Sequence, residues 1–342
     1  MRSFACMVML GFAVTTGAGI APAEAGQKIE DIKARGRLVC GVREDTLGFA
    51  RRTERGDFQG LEIDLCRAVA AAALGSSERA DYVALPAGRQ LAALEAGKVD
   101  MLAAGNVRTL ASATKPGVDF VADYYFDRQG FLVPRRLGKR HVQNLNGASV
   151  CMQSERPTTD SVGDYFRANR IAFKPILFET IAEQRSAFFR GSCDIYAEAR
   201  SGVYAARAAY APNPADYFVL PESAGWEPLS LVVQQGDRRF AEIVRWSFLA
   251  MLIAEEHGIS SENVDDMLET DSPKIQQFLG VSPGLGAPLG LDDRWAYTII
   301  KQVGNYGESY DRHLGNASAL RIPRGVNELA SQGGLQYPAS LR

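Results

Sequence analysis

Histidine is scarce in this chain of 342 residues, with His141, His257 and His313 scattered along it. No two cysteines stand at metal-ligand spacing, so the pattern argues against a zinc site. None of the histidines lies near a loop expected to line a cleft, which argues against a nucleophile–histidine pair. There is no basic run and no stripe of aromatics interleaved with Lys or Arg, and the net charge is only -2. Nucleic acid is therefore excluded as a partner. No repeat of solenoid period, no low-complexity linker and no cofactor signature is present, and no cofactor is expected. Beyond Gly26 the chain is too polar to cross a bilayer.

What is present begins with an export signal. Arg2 opens a stretch, Phe4 to Ile20, of almost unbroken apolar, Gly or Thr residues, and Ala23-Glu24-Ala25 offers a small-x-small cleavage site. The apolar stretch is only marginally long enough for a membrane anchor and is rich in glycine and threonine. Residues 1–25 are read as a cleaved signal peptide, which removes Cys6 and leaves 317 residues outside the cytoplasm, in a periplasm. That length accommodates about two domains.

Four cysteines then remain, and an oxidising compartment allows three pairings among them. The favoured one is Cys40–Cys66 and Cys151–Cys193, because each bond closes a loop inside one half of the chain and leaves the halves free to move. Loops of 26 and 42 residues are each worth about 3–4 kcal/mol through the unfolded chain.

Strand and helix signals alternate. Leu38–Val42, Asp81–Leu85 and Val99–Ala103 read as strands, separated by helices over Gly60–Ala71 and Arg89–Ala96 that end near Gly75 and Gly97. The same grammar repeats with strands Ser149–Met152, Ala172–Leu177 and Asp194–Ala197 and helices Thr158–Ala168 and Thr180–Phe189. Such alternation predicts α/β lobes built on parallel, doubly wound sheets. Phe131–Pro134 and Leu229–Val233 are extended segments expected to form a two-strand hinge. The expected lobes are 26–130 with 228–342, and 131–227. Helices are expected at Phe240–Glu256, at Ser261–Glu269 behind a serine cap, and at Asp292–Val303, followed by an irregular tail.

Several strings carry a family resemblance: Gly60 to Ala71, Asp164-Tyr165-Phe166-Arg167-Ala168-Asn169, Glu227-Pro228-Leu229, Gly290-Leu291-Asp292, Gly304-Asn305-Tyr306-Gly307-Glu308 and Arg324-Gly325-Val326-Asn327. With the two cysteine pairs, they resemble general L-amino-acid-binding proteins, the periplasmic solute-binding proteins of polar amino-acid ABC transporters. The resemblance implies a type II periplasmic-binding fold, with two lobes that close on a small ligand and dock to a membrane permease, and a monomer is expected.

In open α/β sheets a ligand sits beyond the carboxyl ends of the strands, here the loops Arg43–Ala50, Gly105–Ser112, Gln153–Thr159 and Ala197–Ser201. An amino-acid zwitterion needs an arginine fork and donors for its carboxylate and an aspartate for its ammonium. The resemblance implies a threonine at Val107, the carboxylate-clamping arginine at Ser112, a Gly-Thr-Thr run at Glu155-Arg156-Pro157 and the ammonium-binding aspartate at Ala199. This chain departs from the family at all four. A changed ligand is therefore expected, a modified or non-amino-acid anion.

The candidate ligand-binding residues are Arg43, Asp45, Phe49, Phe58, Gly105, Arg108, Ser112, Glu155, Arg156 and Glu198, with Arg108 first and Arg156 second among the arginines. Two alternatives stand beside this reading. One is a periplasmic partner or signalling protein that has lost small-molecule capture. The other is a dehydratase-like enzyme using Glu155 or Glu198 as a proton donor; binding without catalysis is the favoured expectation.

Overall fold

The computed structural model describes residues 26–154 and 157–340; the expected signal peptide, Glu155 and Arg156 lie outside them. The short apolar strands fall into two parallel groups. Ala80–Ala84, Leu38–Val42 and Met101–Val107 lie side by side in that order, and so do Ile195–Ala199, Ala148–Gln153 and Phe173–Phe178. Between the groups run two long strands, Val118–Pro134 and Ala224–Gln234, antiparallel to each other. The former borders Ile195–Ala199 and the latter borders Met101–Val107, again antiparallel, so a single sheet path passes from one group to the other.

Sequence patterning located only part of these crossing strands. Asp119, Asp123, Asp127 and Arg128 interrupt the apolar run of the first one, and the chain stays extended through them because Ala224–Gln234 pairs along that edge from Val118 to Gln129.

The helix Leu61–Leu74 forms from an alanine-rich run of high propensity and is buried on nearly its whole circumference. Gly60 precedes it at φ +140°, where a Cβ would stand 2.0 Å from the Phe49 carbonyl oxygen. Only glycine permits that approach. It lets Gly48 and Phe49 accept the first two helical N–H groups, from Leu61 at 3.0 Å and Glu62 at 2.9 Å. Arg238–Glu256 and Trp295–Gln302 pack against this helix and bury Ile243, Met251, Ile299 and Ile300 completely. A separate cluster around Phe131, Met152, Val162, Phe166 and Ile195 fills the other parallel group. No helix among the described residues is long and apolar enough to cross a membrane.

Two expectations for the C-terminal third need correction. Ser261–Glu269 is not a helix but a turn followed by a short 3-10 segment, Asp266–Glu269. The Ser261 hydroxyl donates to Glu308 at 2.6 Å instead of capping its own turn, and Asn263 folds back onto Ser260 N at 2.8 Å. Conversely, the tail beyond Val303 contains a helix, Tyr306–His313, opened by an Asn305–Glu308 capping box. This tail grips the first crossing strand: Tyr306 Oη and Gln336 Nε2 donate to the Tyr124 carbonyl at 2.8 and 3.0 Å, and Asn327 bonds both backbone groups of Phe126.

Both disulfides form as expected, Cys40–Cys66 with Cα atoms 6.2 Å apart and Cys151–Cys193 with Cα atoms 5.7 Å apart.

Candidate functional site

The strand ends that should face a ligand converge on the crossing strands. Arg108 N–H donates to the Pro228 carbonyl at 3.0 Å, and Pro228 lies opposite Phe126. Ala199, at the end of the other parallel group, lies opposite Gln129. The two rims are thus three residues apart along one strand, roughly 10 Å at the usual rise.

On the first rim the charged candidates are already matched. Arg43 donates from Nε and Nη2 to Asp45 at 3.1 and 3.2 Å. Burial raises the Asp45 pKa, but these bonds outweigh it and leave the carboxyl below its ordinary value. Arg108 places Nε 3.1 Å from Asp123 and forms a second bond from Nη2, while Ser230 donates to the same carboxylate. Ser112 serves its own turn: its hydroxyl accepts from Thr109 N at 2.9 Å and lies 3.0 Å from the Val107 carbonyl. Phe49 and Phe58 are buried, Phe49 edge-on to Tyr125 at 5.0 Å and Phe58 tilted on Tyr82 at 5.3 Å.

On the second rim, Glu198 accepts from Tyr196 Oη at 2.6 Å and lies over the first turn of the helix Arg200–Tyr210. Arg200 donates to the Leu220 carbonyl at 2.9 Å. Asp127 is buried beneath and accepts from the Ser201 hydroxyl and backbone; burial still raises its pKa. The Glu155 and Arg156 candidates fall outside the described residues. The clamp positions Val107, Ser112 and Ala199 therefore offer neither a cation nor an anion at this convergence.

Residues 38–272 match bacterial extracellular solute-binding proteins, family 3. The chain belongs to that family. It is 37% identical over 324 residues to the general L-amino acid-binding periplasmic protein of Rhizobium johnstonii, covering 94% of this chain and 95% of the relative. It is 38% identical over 330 residues to a glutamate/glutamine/aspartate/asparagine-binding protein of Rhodobacter capsulatus, covering 96% and 97%. Among solved structures, an ABC transporter periplasmic binding protein from Brucella ovis with glutathione bound superposes with a TM-score of 0.84 at 41% identity, covering 92% of this chain and 99% of that one. The two-lobed type II fold of family 3 solute-binding proteins is thus the fold of this chain.

Beneath the first rim of this family 3 protein lies a residue that sequence reasoning passed over. Glu62 is 1% exposed; its Oε1 accepts from Gly105 N at 2.8 Å and from the Tyr124 hydroxyl, while Oε2 has no partner among the described residues. Burial lifts its pKa to about 7, against the opposing pull of Tyr124, Arg43 and the Gly105 N–H. The folded-state value stands above the unfolded one. This contribution to stability is complete below about pH 4.5 and is lost as pH rises through 7. Glu62→Gln is expected to remove the slope, stabilising the protein at pH 8 by about 3 kcal/mol relative to its effect at pH 4.5. Urea unfolding of both proteins across that range measures it; parallel pH profiles would refute the assignment.

Arg128 and Trp226 were also missed. The Arg128 guanidinium carbon lies 3.9 Å from the Trp226 ring centroid, and Trp226 is 51% exposed. The available signal was a charged pair, Asp127-Arg128, inside the aromatic run from Tyr124 to Phe131.

Proposed function

We propose that this chain is the periplasmic substrate-binding component of an amino-acid-type ABC importer, capturing a small anionic amino-acid derivative rather than a free α-amino acid. Its lobes are residues 26–130 with 228–342 and residues 131–227, hinged on the crossing strands. A ligand bridging them stabilises the closed form by its differential affinity, and that form is presented to a membrane permease. The protein works in the periplasm after loss of residues 1–25, as a binder and not as an enzyme. The remaining candidates of the cleft, Arg43, Asp45, Gly105, Arg108 and Glu198, are assigned to its walls.

One observation carries the reading. The positions expected to grip a zwitterion hold Val107, Ser112 and Ala199, and the Ser112 hydroxyl is spent on its own turn. The likeness to a protein holding glutathione, a peptide with two carboxylates, supports an enlarged anionic ligand.

Thermal unfolding with added solutes tests this. Reduced glutathione is expected to raise Tm, with stabilisation of about 2.7 kcal/mol at 100 times its dissociation constant. Mixtures of ordinary L-amino acids should leave Tm where it is. A micromolar response to free glutamate or glutamine would overturn the changed ligand.

A further inference from the structure

Arg128, on the crossing strand between the two rims, forms no ion pair with a described residue. Its Nε is buried without a partner among the described residues. The acids around it are engaged elsewhere: Asp127 by Ser201, Glu198 by Tyr196 and Glu227 by Gln129 at 2.6 Å. Burial, and after it the like charge of Arg200, lower the pKa of Arg128. A half-buried arginine held beside a second arginine, with its buried Nε donor orphaned, is costly unless an anion completes it.

The position suits a ligand. Arg128 follows Asp127 and precedes Gln129, the residue opposite Ala199. Its backbone is one residue from the pair that would hold a zwitterion's ammonium, and it brings the opposite charge. Stacking on Trp226 orients the fork at little entropic cost and leaves its donor edge for a planar oxyanion. Glycine at 130 keeps the neighbouring backbone close, since a Cβ there would meet Arg200 Cα at 2.9 Å. Arg108, by contrast, already holds Asp123 bidentately.

We propose that Arg128, braced on Trp226 and flanked by Arg200, is the ligand's carboxylate anchor, displacing the clamp from the first lobe's loop to the crossing strand. This rests on the solute-binder reading above and names the group that sets its specificity for an anion.

The test is titration of the intact mature protein with reduced glutathione, succinate and inorganic sulfate, followed by calorimetry and by tryptophan emission, with Trp226→Phe identifying the Trp226 signal. At least one of these anions is expected to bind wild type and shift Trp226 emission. Arg128→Met, which keeps the apolar contact with Trp226, is expected to weaken that binding about 100-fold without lowering Tm. Arg128→Lys should recover only part, because a point charge replaces the fork. Arg108→Met should cost no more than about threefold, its charge being already matched.

Wild-type affinity in Arg128→Met would overturn the anchor, as would a wild-type protein indifferent to all three anions. The importer reading is judged separately, by mass spectrometry of solutes released from freshly purified protein. A neutral or cationic solute found there defeats the anchor and leaves the importer standing; no captured solute, with no response to any added one, defeats both.

Discussion

Replacing Asp64 with alanine is expected to cost about 3–5 kcal/mol and to loosen the C-terminal segment from the first lobe. Asp64 follows Glu62 by two positions on the same helix, about 200° around it, and faces the opposite way. It is 4% exposed and accepts from Ser309 Oγ at 2.8 Å, His313 Nε2 at 2.9 Å and Arg312 Nη2 at 3.1 Å, with Arg67 at 3.6 Å. Three of those four partners belong to the last forty residues, so the carboxylate ties the tail to the helix Leu61–Leu74. Removing it strands a half-buried cationic cluster.

Burial raises the Asp64 pKa, but the His313 bond and the neighbouring cations overcome it and hold the carboxyl below its ordinary value. Stability from this group is present above the unfolded value of about 4 and is lost as pH falls through the lower folded one. Wild type should therefore lose more stability between pH 4 and pH 2 than the variant does. Urea unfolding at pH 7, and proteolysis that releases a fragment beyond Val303, read the outcome. A loss under 1 kcal/mol with an uncleaved tail would refute the tie.

The consequence reaches the cleft. The tail that Asp64 fastens is the one that grips Tyr124 and Phe126, immediately before Asp127 and Arg128. The proposed hinge strand is thus braced from behind by the tail and, through Asp127, from the side by Ser201. A rigid crossing strand is what a clamp needs if the anchor is to keep its orientation while the lobes move.

Local patterning was sufficient for the short strands and their helices because each buries a continuous apolar run and ends at a turn residue. Leu38–Val42 and the glycine stop at Gly75 were legible for that reason. Ser261 misled because its partner, Glu308, is 47 residues away. The capping box at Asn305, by contrast, is a local signal, an Asn followed three residues later by Glu308.

The same distinction governs the site. Residue type and loop position could be read; the partner of each side chain could not. Arg108 looked free in the sequence, and only the register of Val118–Pro134 brings Asp123 beneath it. Phe49 and Phe58 are aromatic residues at a loop and a short strand, and their rings turn inward to Tyr125 and Tyr82. Arg128 was hidden for the opposite reason. It lies inside a strand that patterning did not extend far enough, so it was never placed beside a cleft.

Removing the Cys151–Cys193 bond by a double alanine substitution is expected to cost about 4 kcal/mol, and removing Cys40–Cys66 about 3.5 kcal/mol, as loop lengths dictate. The two losses should appear in different places. Cys151 lies in a strand of the second parallel group and Cys193 in the turn leading into Ile195–Ala199, whose end carries Glu198 and Ala199 to the crossing strands. Cys40 and Cys66 join the strand leading to Arg43 with the helix that carries Glu62 and Asp64. Neither bond spans the crossing strands, so each constrains one parallel group and neither would restrain the proposed closure.

If the lobes unfold as separable units, the Cys151–Cys193 variant should show an early transition that leaves the Asp64 cluster intact, detectable as a tail still resistant to proteolysis. The Cys40–Cys66 variant should lose that resistance in its first transition. Urea unfolding under non-reducing conditions, followed by proteolysis at the midpoint, separates the two. A single coincident transition in both variants, with the tail released together with everything else, would mean that the crossing strands couple the lobes into one cooperative unit.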